Sequence, residues 1–162
     1  MKSCLFGGTF DPPHLGHLII AQTIFEAENF DRIVFIPAFL PPHKNGQDIS
    51  SVDHRMEMLK IAIRENPNFV LSDIEIKRKG LSYSIDTIID YKAQNNIKTD
   101  DLYYLIGSDT LKQFHKWKDP KSILEKPSIT PAPEPVPSVK ITLLLPFGIV
   151  IAPPEPCAML ID

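Results

Sequence analysis

Cysteine is scarce in this chain. Its 162 residues include two, Cys4 and Cys157, far apart and without metal-ligand partners nearby in sequence. Neither a disulfide framework nor a thiolate metal site is expected, and a reducing cytoplasmic compartment is. Basic charge is short as well. Seventeen Lys and Arg stand against twenty Asp and Glu, a net charge of −3, so no cationic field draws in nucleic acid or an anionic membrane. No apolar run reaches the roughly 20 residues of a membrane span, and the opening residues lack the charged-then-apolar pattern of a leader. What remains is a length suited to one domain, with 43% hydrophobic residues to build its core.

The first twenty residues carry the most information. Lys2-Ser3-Cys4-Leu5-Phe6 has strand character, Gly7-Gly8-Thr9-Phe10-Asp11-Pro12-Pro13 breaks it, and a helical pattern opens at His14-Leu15-Gly16-His17. A Gly-rich turn from strand to helix gathers backbone N–H groups at the positive end of the helix, which suits phosphate. His14 and His17 lie three residues apart and share a helix face, and Gly16 between them leaves bare backbone for a ligand to approach. Singly, a Gly-Gly pair marks a turn and an exposed His is a solvated side chain; together they point to an anion site. The run G-G-T-F-D-P-x-H-x-G-H resembles the nucleotidyltransferase superfamily. In that family, the resemblance implies, the histidines hold nucleotide phosphates and the charge that develops at the α-phosphate.

The chain continues with a helix from Leu15 to about Asn29 and a buried strand at 32–36 closed by Pro37, a βαβ unit with parallel pairing. Continuous apolar strands agree with a sheet covered on both faces. The loop at 37–46 then places His43 and Lys44 after a strand end, where ligands bind in open α/β sheets. Its Pro41-Pro42-His43-Lys44 resembles the P-P-H-K loop of nicotinate-nucleotide adenylyltransferases and narrows the superfamily to that branch. Ser51 or Asp53 caps the next helix, with Arg55 in its first turn expected to be solvated, a phosphate role being open. Residues 69–71 and 73–76 are expected to form one strand that becomes half exposed, and Lys77-Arg78-Lys79-Gly80 a solvated basic turn.

Leu81-Ser82-Tyr83-Ser84-Ile85-Asp86-Thr87 opens another helix, for which Ser84 is the expected N-cap. The run is similar to the family's S-Y-T-I-D-T element, with Ser84 in place of the usual Thr. A fourth strand at 101–106 leads to Gly107-Ser108-Asp109, a turn in which Asp109 caps a helix or accepts from ribose hydroxyls. From Gly107 to Trp117 the pattern G-S-D-x-L-x-x-F-x-x-W resembles the family's second nucleotide-binding element. There the indole stacks on nicotinate, and such stacking contributes about 0.5–1.5 kcal/mol beyond area burial. The family often has an aromatic residue after that Trp; Lys118 stands here, a cation near the expected carboxylate.

The resemblance covers residues 1–126. Nine of the sixteen prolines follow, at 127, 131, 133, 135, 137, 146, 153, 154 and 156, and no arginine comes after Arg78. The family's Ser/Thr-and-Arg turn, which grips the outer phosphates of ATP, is therefore not found. Residues 127–162 are expected to be a Pro-rich atypical segment; a frameshifted or artificially completed end is favoured over a divergent end or a native extension, because the break is abrupt. Within it 139–145 and 148–151 have strand character and could extend the sheet.

The expectation is a single α/β domain with a Rossmann-like open parallel sheet and helices on both faces. The resemblance implies adenylyl transfer from ATP to nicotinate mononucleotide, giving nicotinate adenine dinucleotide and pyrophosphate, with Mg²⁺ carried on the triphosphate and no metal ligands of the protein. His14 and His17 would be catalytic. Gly7, Gly8, Thr9, Phe10, Gly107 and Ser108 would join them around ATP, and Lys44, Tyr83, Ser84, Asp109 and Trp117 would hold the mononucleotide. Phosphopantetheine adenylyltransferase and a catalytically impaired nucleotide-binding relative are the alternatives. Oligomeric state is left open, a homo-oligomer included.

Overall fold

A computed structural model describes residues 1–42, 48–98, 101–107, 110, 113–124, 140–145 and 148–151. Among the described residues six strands form one sheet: β1 (Ser3–Gly8), β2 (Arg32–Pro37), β3 (Phe69–Leu71), β4 (Leu102–Gly107), β5 (Lys140–Leu145) and β6 (Gly148–Ile151). Their order is β3-β2-β1-β4-β5-β6. The first five run parallel, and β6 closes the edge antiparallel to β5, with Leu145 opposite Gly148. The helices are α1 (Leu15–Ala27), α2 (Val52–Ile63), α3 (Ile74–Arg78), α4 (Ser84–Asn95) and α5 (Pro120–Leu124), with a 3-10 turn at Phe114–Lys116. None is long and apolar enough to cross a membrane among the described residues.

Side chains that alternate along each strand explain why both faces are covered. Cys4, Ile33, Phe35, Tyr103 and Leu105 turn to one face, where Ala21 and Ile24 of α1 and Leu59 and Ile63 of α2 bury them. Their neighbours Leu5, Val34, Ile36, Leu102, Tyr104 and Ile106 turn to the other, under Ile85, Ile88 and Tyr91 of α4. Central parallel strands thus read as unbroken apolar runs in the sequence, and each fully buried aliphatic side chain stabilises the fold by about 1.5–3 kcal/mol.

One expected element is overturned. Residues 73–76 do not continue β3; Ile74–Arg78 is a helical turn. Four residues of apolar–polar alternation satisfy a helical turn as well as a strand. The helix wins because Lys77 N–H bonds to Asp73 O and Lys79 N–H to Glu75 O, both at 2.9 Å, while Ile74 and Glu75 are both buried against the sheet and α4. Arg78 is not loose in solvent: it donates to Asp90 at 2.9 Å and to the Thr87 hydroxyl at 3.0 Å.

At the carboxyl end of β1 the sheet is unusually tight. A Cβ on Gly7 would collide with the hydroxyl of Tyr104 on neighbouring β4. That phenol is buried and its pKa is pushed up by burial. Gly7→Ala is therefore expected to destabilise the fold by about 1–3 kcal/mol in urea unfolding. The loss should shrink in a Tyr104→Phe background, which removes the colliding atom; equal losses in both backgrounds would disprove the collision.

Candidate active site

β1 ends at Gly8, whose carbonyl accepts from Ala38 N–H at 2.9 Å, which ties the strand end to the start of the loop after β2. The chain then turns at Phe10, which holds a left-handed φ of 51° with its side chain 2% exposed. Backbone strain of that kind costs about 1–3 kcal/mol and needs a compensating contact. Here it swings the ring inward. Phe10 meets Phe6 edge-on at 5.4 Å, packs on Phe35 at 5.8 Å, and lies 5.0 Å from the imidazole of His17. The Phe10 side chain is therefore the floor on which His17 rests, as well as part of the turn.

His14 is the residue at which α1 begins, in extended conformation, and His17 sits in the first turn. His17 N–H donates to His14 O at 2.9 Å, and His14 N–H donates to His17 Nδ1 at 3.2 Å. The rings face each other with centroids 3.7 Å apart and planes inclined by 31°. An Nδ1 that accepts must be unprotonated, which assigns the neutral Nε2–H tautomer to His17. Burial, and then the neighbouring His14, hold the His17 pKa below its ordinary 6.5. His14 is exposed and His17 half-buried, so neither ring is withdrawn into the core. A Cβ at Gly16 would lie 3.0 Å from Nδ1 of the exposed His14 ring, so a side chain there would crowd that ring.

The loop is also latched from outside. Arg55 is 1% exposed, not solvated. Its guanidinium donates to Thr9 O at 2.9 Å and to Ser50 O at 3.0 Å, while Ser50 N–H donates to Asp11 Oδ2 at 2.7 Å. Two backbone carbonyls of separate segments meet one rigid fork, a geometry an ammonium cannot reproduce.

A second feature opens at the same strand-end edge. A cavity of about 110 Å³ is lined by Pro42 from the loop after β2, by Ser82, Tyr83 and Ser84 at the start of α4, and by Trp117 and Lys118. Trp117 packs on Phe114 at 5.1 Å and edge-on to Tyr104 at 6.3 Å, so core packing and cavity lining are both its roles. Ser84 is not the cap of α4. Tyr83 stands at that position, and the Ser84 hydroxyl bonds to Tyr104 OH at 3.0 Å. Asp86 holds the Lys118 ammonium with both oxygens at 2.9 Å, above the Tyr83 ring at 5.0 Å. Tyr104 thus joins the halves: its hydroxyl lies over Gly7 of the histidine corner and bonds to Ser84 of the cavity.

With this geometry in view, similarity to known proteins becomes specific. The family model described as cytidylyltransferase-like matches residues 5–159. The chain belongs to that family. Among relatives of the cytidylyltransferase-like chain, the nicotinate-nucleotide adenylyltransferase of Bacillus subtilis is 43% identical over 116 residues, covering 72% of this chain and 60% of the relative. A probable nicotinate-nucleotide adenylyltransferase of Caldicellulosiruptor saccharolyticus is 44% identical over 126 residues, covering 78% and 62%. One from Aquifex aeolicus is 40% identical over 121 residues, covering 75% and 70%. The chain therefore spans about three fifths of the length of the first two. The nicotinic acid mononucleotide adenylyltransferase of Plasmodium falciparum, solved in complex with NaAD, shares the fold at a TM-score of 0.67 and 18% identity, covering 89% of this chain and 76% of that one.

Of the residues singled out from the sequence of this cytidylyltransferase-like chain, Gly7, Gly8, Thr9, Phe10, His14 and His17 come together at the β1–α1 corner. Tyr83, Ser84 and Trp117 come together around the cavity. Gly107 ends β4, paired with Leu144. Lys44, Ser108 and Asp109 lie outside the described residues. Arg55 was legible after all: with Leu59 and Ile63 it recurs every fourth residue along α2, which is the buried face.

The neutral state of His17 can be measured. Its folded pKa is lowered, so the unfolded chain takes up the proton first; the contribution to stability is present above pH 6.5 and is lost as pH falls through that value toward the folded pKa. NMR titration of the free protein should place the His17 imidazole below 6.5. A midpoint at or above that value would refute the assignment.

Proposed function

We propose that this chain transfers the adenylyl group of ATP to nicotinate mononucleotide, releasing pyrophosphate and forming nicotinate adenine dinucleotide. The observation that carries this reading is the stacked His14–His17 pair beside an indole-lined cavity, both at the carboxyl edge of a parallel sheet where strand order reverses between β1 and β4. The names of the relatives and the dinucleotide in the Plasmodium neighbour support it.

The mononucleotide's own phosphate is the nucleophile and attacks the α-phosphate in line. No side chain has to be adenylylated. The protein supplies alignment of two anions and neutralisation of the charge that builds on the α-phosphate, and alignment alone can lower a barrier by about 7–11 kcal/mol. A neutral His17 whose Nε2 carries the proton is a donor to that charge, held in place by its Nδ1 bond and by Phe10 beneath it. His14 extends the donor surface. Gly7, Gly8, Thr9 and Phe10, with Gly107 and Ser108, form the ATP side. The pyridine ring lies against Trp117, between Tyr83 and Ser84, with Lys44 and Asp109 as further contacts of the mononucleotide. The magnesium ion enters as part of the substrate, on the triphosphate. A reducing, cytoplasmic setting suits the buried free thiol of Cys4.

The test is pyrophosphate release from MgATP with nicotinate mononucleotide, nicotinamide mononucleotide or phosphopantetheine as acceptor. Release with nicotinate mononucleotide, and a fall of about a hundredfold or more in kcat for His17→Ala with KM changed far less, is the expected result. Release only with phosphopantetheine would overturn the substrate. Nucleotide binding in a calorimeter without any release would overturn the activity. An unimpaired His17→Ala would remove the imidazole from the reaction.

A further inference from the structure

Nothing in the reaction above uses the hydroxyl of Tyr104. The residue lies on β4, in register with Leu5 of β1 and Ile141 of β5, and is 5% exposed. Its ring belongs to the core cluster that holds Ile85 and Ile88 of α4. A phenylalanine would pack the same ring without burying an oxygen, and a buried hydroxyl is tolerated only when it is bonded. Among the described residues that oxygen makes one hydrogen bond, to the Ser84 hydroxyl at 3.0 Å.

Which hydroxyl donates follows from what each can reach. Burial raises the pKa of the phenol, so its proton stays on the oxygen. If Ser84 donated, that proton would be left in the core with no acceptor among the described residues, and a desolvated donor left unmet costs more than one made bond gains. If Tyr104 donates, the phenol is satisfied. A phenol is also more acidic than an aliphatic hydroxyl, which makes it the better donor of the two. The Ser84 oxygen carries two lone pairs and one proton. Once a lone pair faces Tyr104, the proton turns away from it. Ser84 is half-buried, makes no other side-chain bond among the described residues, and lines the cavity with Tyr83, Trp117 and Lys118, so its proton is presented there. The ring of Tyr104 also meets Trp117 edge-on at 6.3 Å, and the bond is thus made beside the indole.

We infer that Tyr104 is a positioning residue: its phenol donates to Ser84 and so turns the Ser84 proton into the Trp117 cavity, where it meets a hydrogen-bond acceptor of the bound mononucleotide. The substrate half of this statement rests on the function proposed above; the direction of the Tyr104–Ser84 bond does not.

A double-mutant cycle in the intact chain tests it. Tyr104→Phe keeps the ring and removes only the hydroxyl. KM for nicotinate mononucleotide should rise about threefold to tenfold in Tyr104→Phe and at least as much in Ser84→Ala, with KM for MgATP within about twofold of the parent. Adding Tyr104→Phe to Ser84→Ala should then leave KM for the mononucleotide unchanged, because the residue acts only through Ser84. A loosened fold would instead raise both KM values and would add to the effect of Ser84→Ala. Equal rises in both backgrounds would overturn the path through Ser84, and no rise in Tyr104→Phe would overturn the role. The direction of the bond is read without turnover, from the tyrosine doublet in the Raman spectrum, whose intensity ratio separates a donating from an accepting phenol. The parent-minus-Tyr104→Phe difference should show a donor; an acceptor pattern would overturn the assignment. If the parent neither turns over nor binds nicotinate mononucleotide, the proposed function fails, and the Raman difference still judges the bond. Should Tyr104→Phe fail to fold, the parent-minus-Ser84→Ala difference, in which the phenol loses its acceptor, decides in its place.

Discussion

The backbone N–H of His14 donates to Nδ1 of His17, and that bond settles what the histidine corner can do. It consumes the one lone pair His17 could offer at Nδ1 and leaves a proton at Nε2. The imidazole becomes a donor with a fixed orientation instead of a base or a nucleophile. Each surrounding feature serves the same end. The Phe10 ring packs against His17, the absence of a side chain at Gly16 leaves the His14 ring uncrowded, and the Arg55 fork holds the Thr9 carbonyl so that the turn keeps its shape. On the proposed function the corner has to be rigid, because misplacement by about 1 Å can cost a hundredfold in rate.

The sheet explains why such a corner can lie beside a stacking cavity. With β1 central and β4 its neighbour, the segments after both strands emerge at one edge. Tyr104 then spans the gap with a single hydroxyl, filling the space over Gly7 and bonding to Ser84. Gly7 is thus a packing requirement of the sheet.

Much of this was legible in the residues. The βαβ opening, the buried strands and the two strands after residue 139 follow from apolar runs and turn residues, and the G-G-T-F-D-P-x-H-x-G-H run marked the corner. The errors have two physical causes: residue type was weighed above spacing at one position, and at the others local pattern does not say which polar group finds a distant partner. Arg55 looked solvated because arginine usually is, although its spacing to Leu59 and Ile63 placed it inward. Ser84 looked like a cap because its own hydroxyl was the nearest candidate, yet Tyr104, twenty residues on, claimed it. Residues 73–76 looked like strand because the hydroxyl partner that makes Glu75 tolerable inside comes from Thr87, outside any local window.

The account stands on the histidines acting as donors to a direct transfer, not as carriers of the adenylyl group. The most direct measurement is the stereochemical course at the α-phosphorus, with ATP made chiral there by sulfur substitution. One in-line displacement by the mononucleotide phosphate inverts the configuration, and inversion is the expected result. Retention would require two displacements and an adenylylated side chain, and would contradict the account.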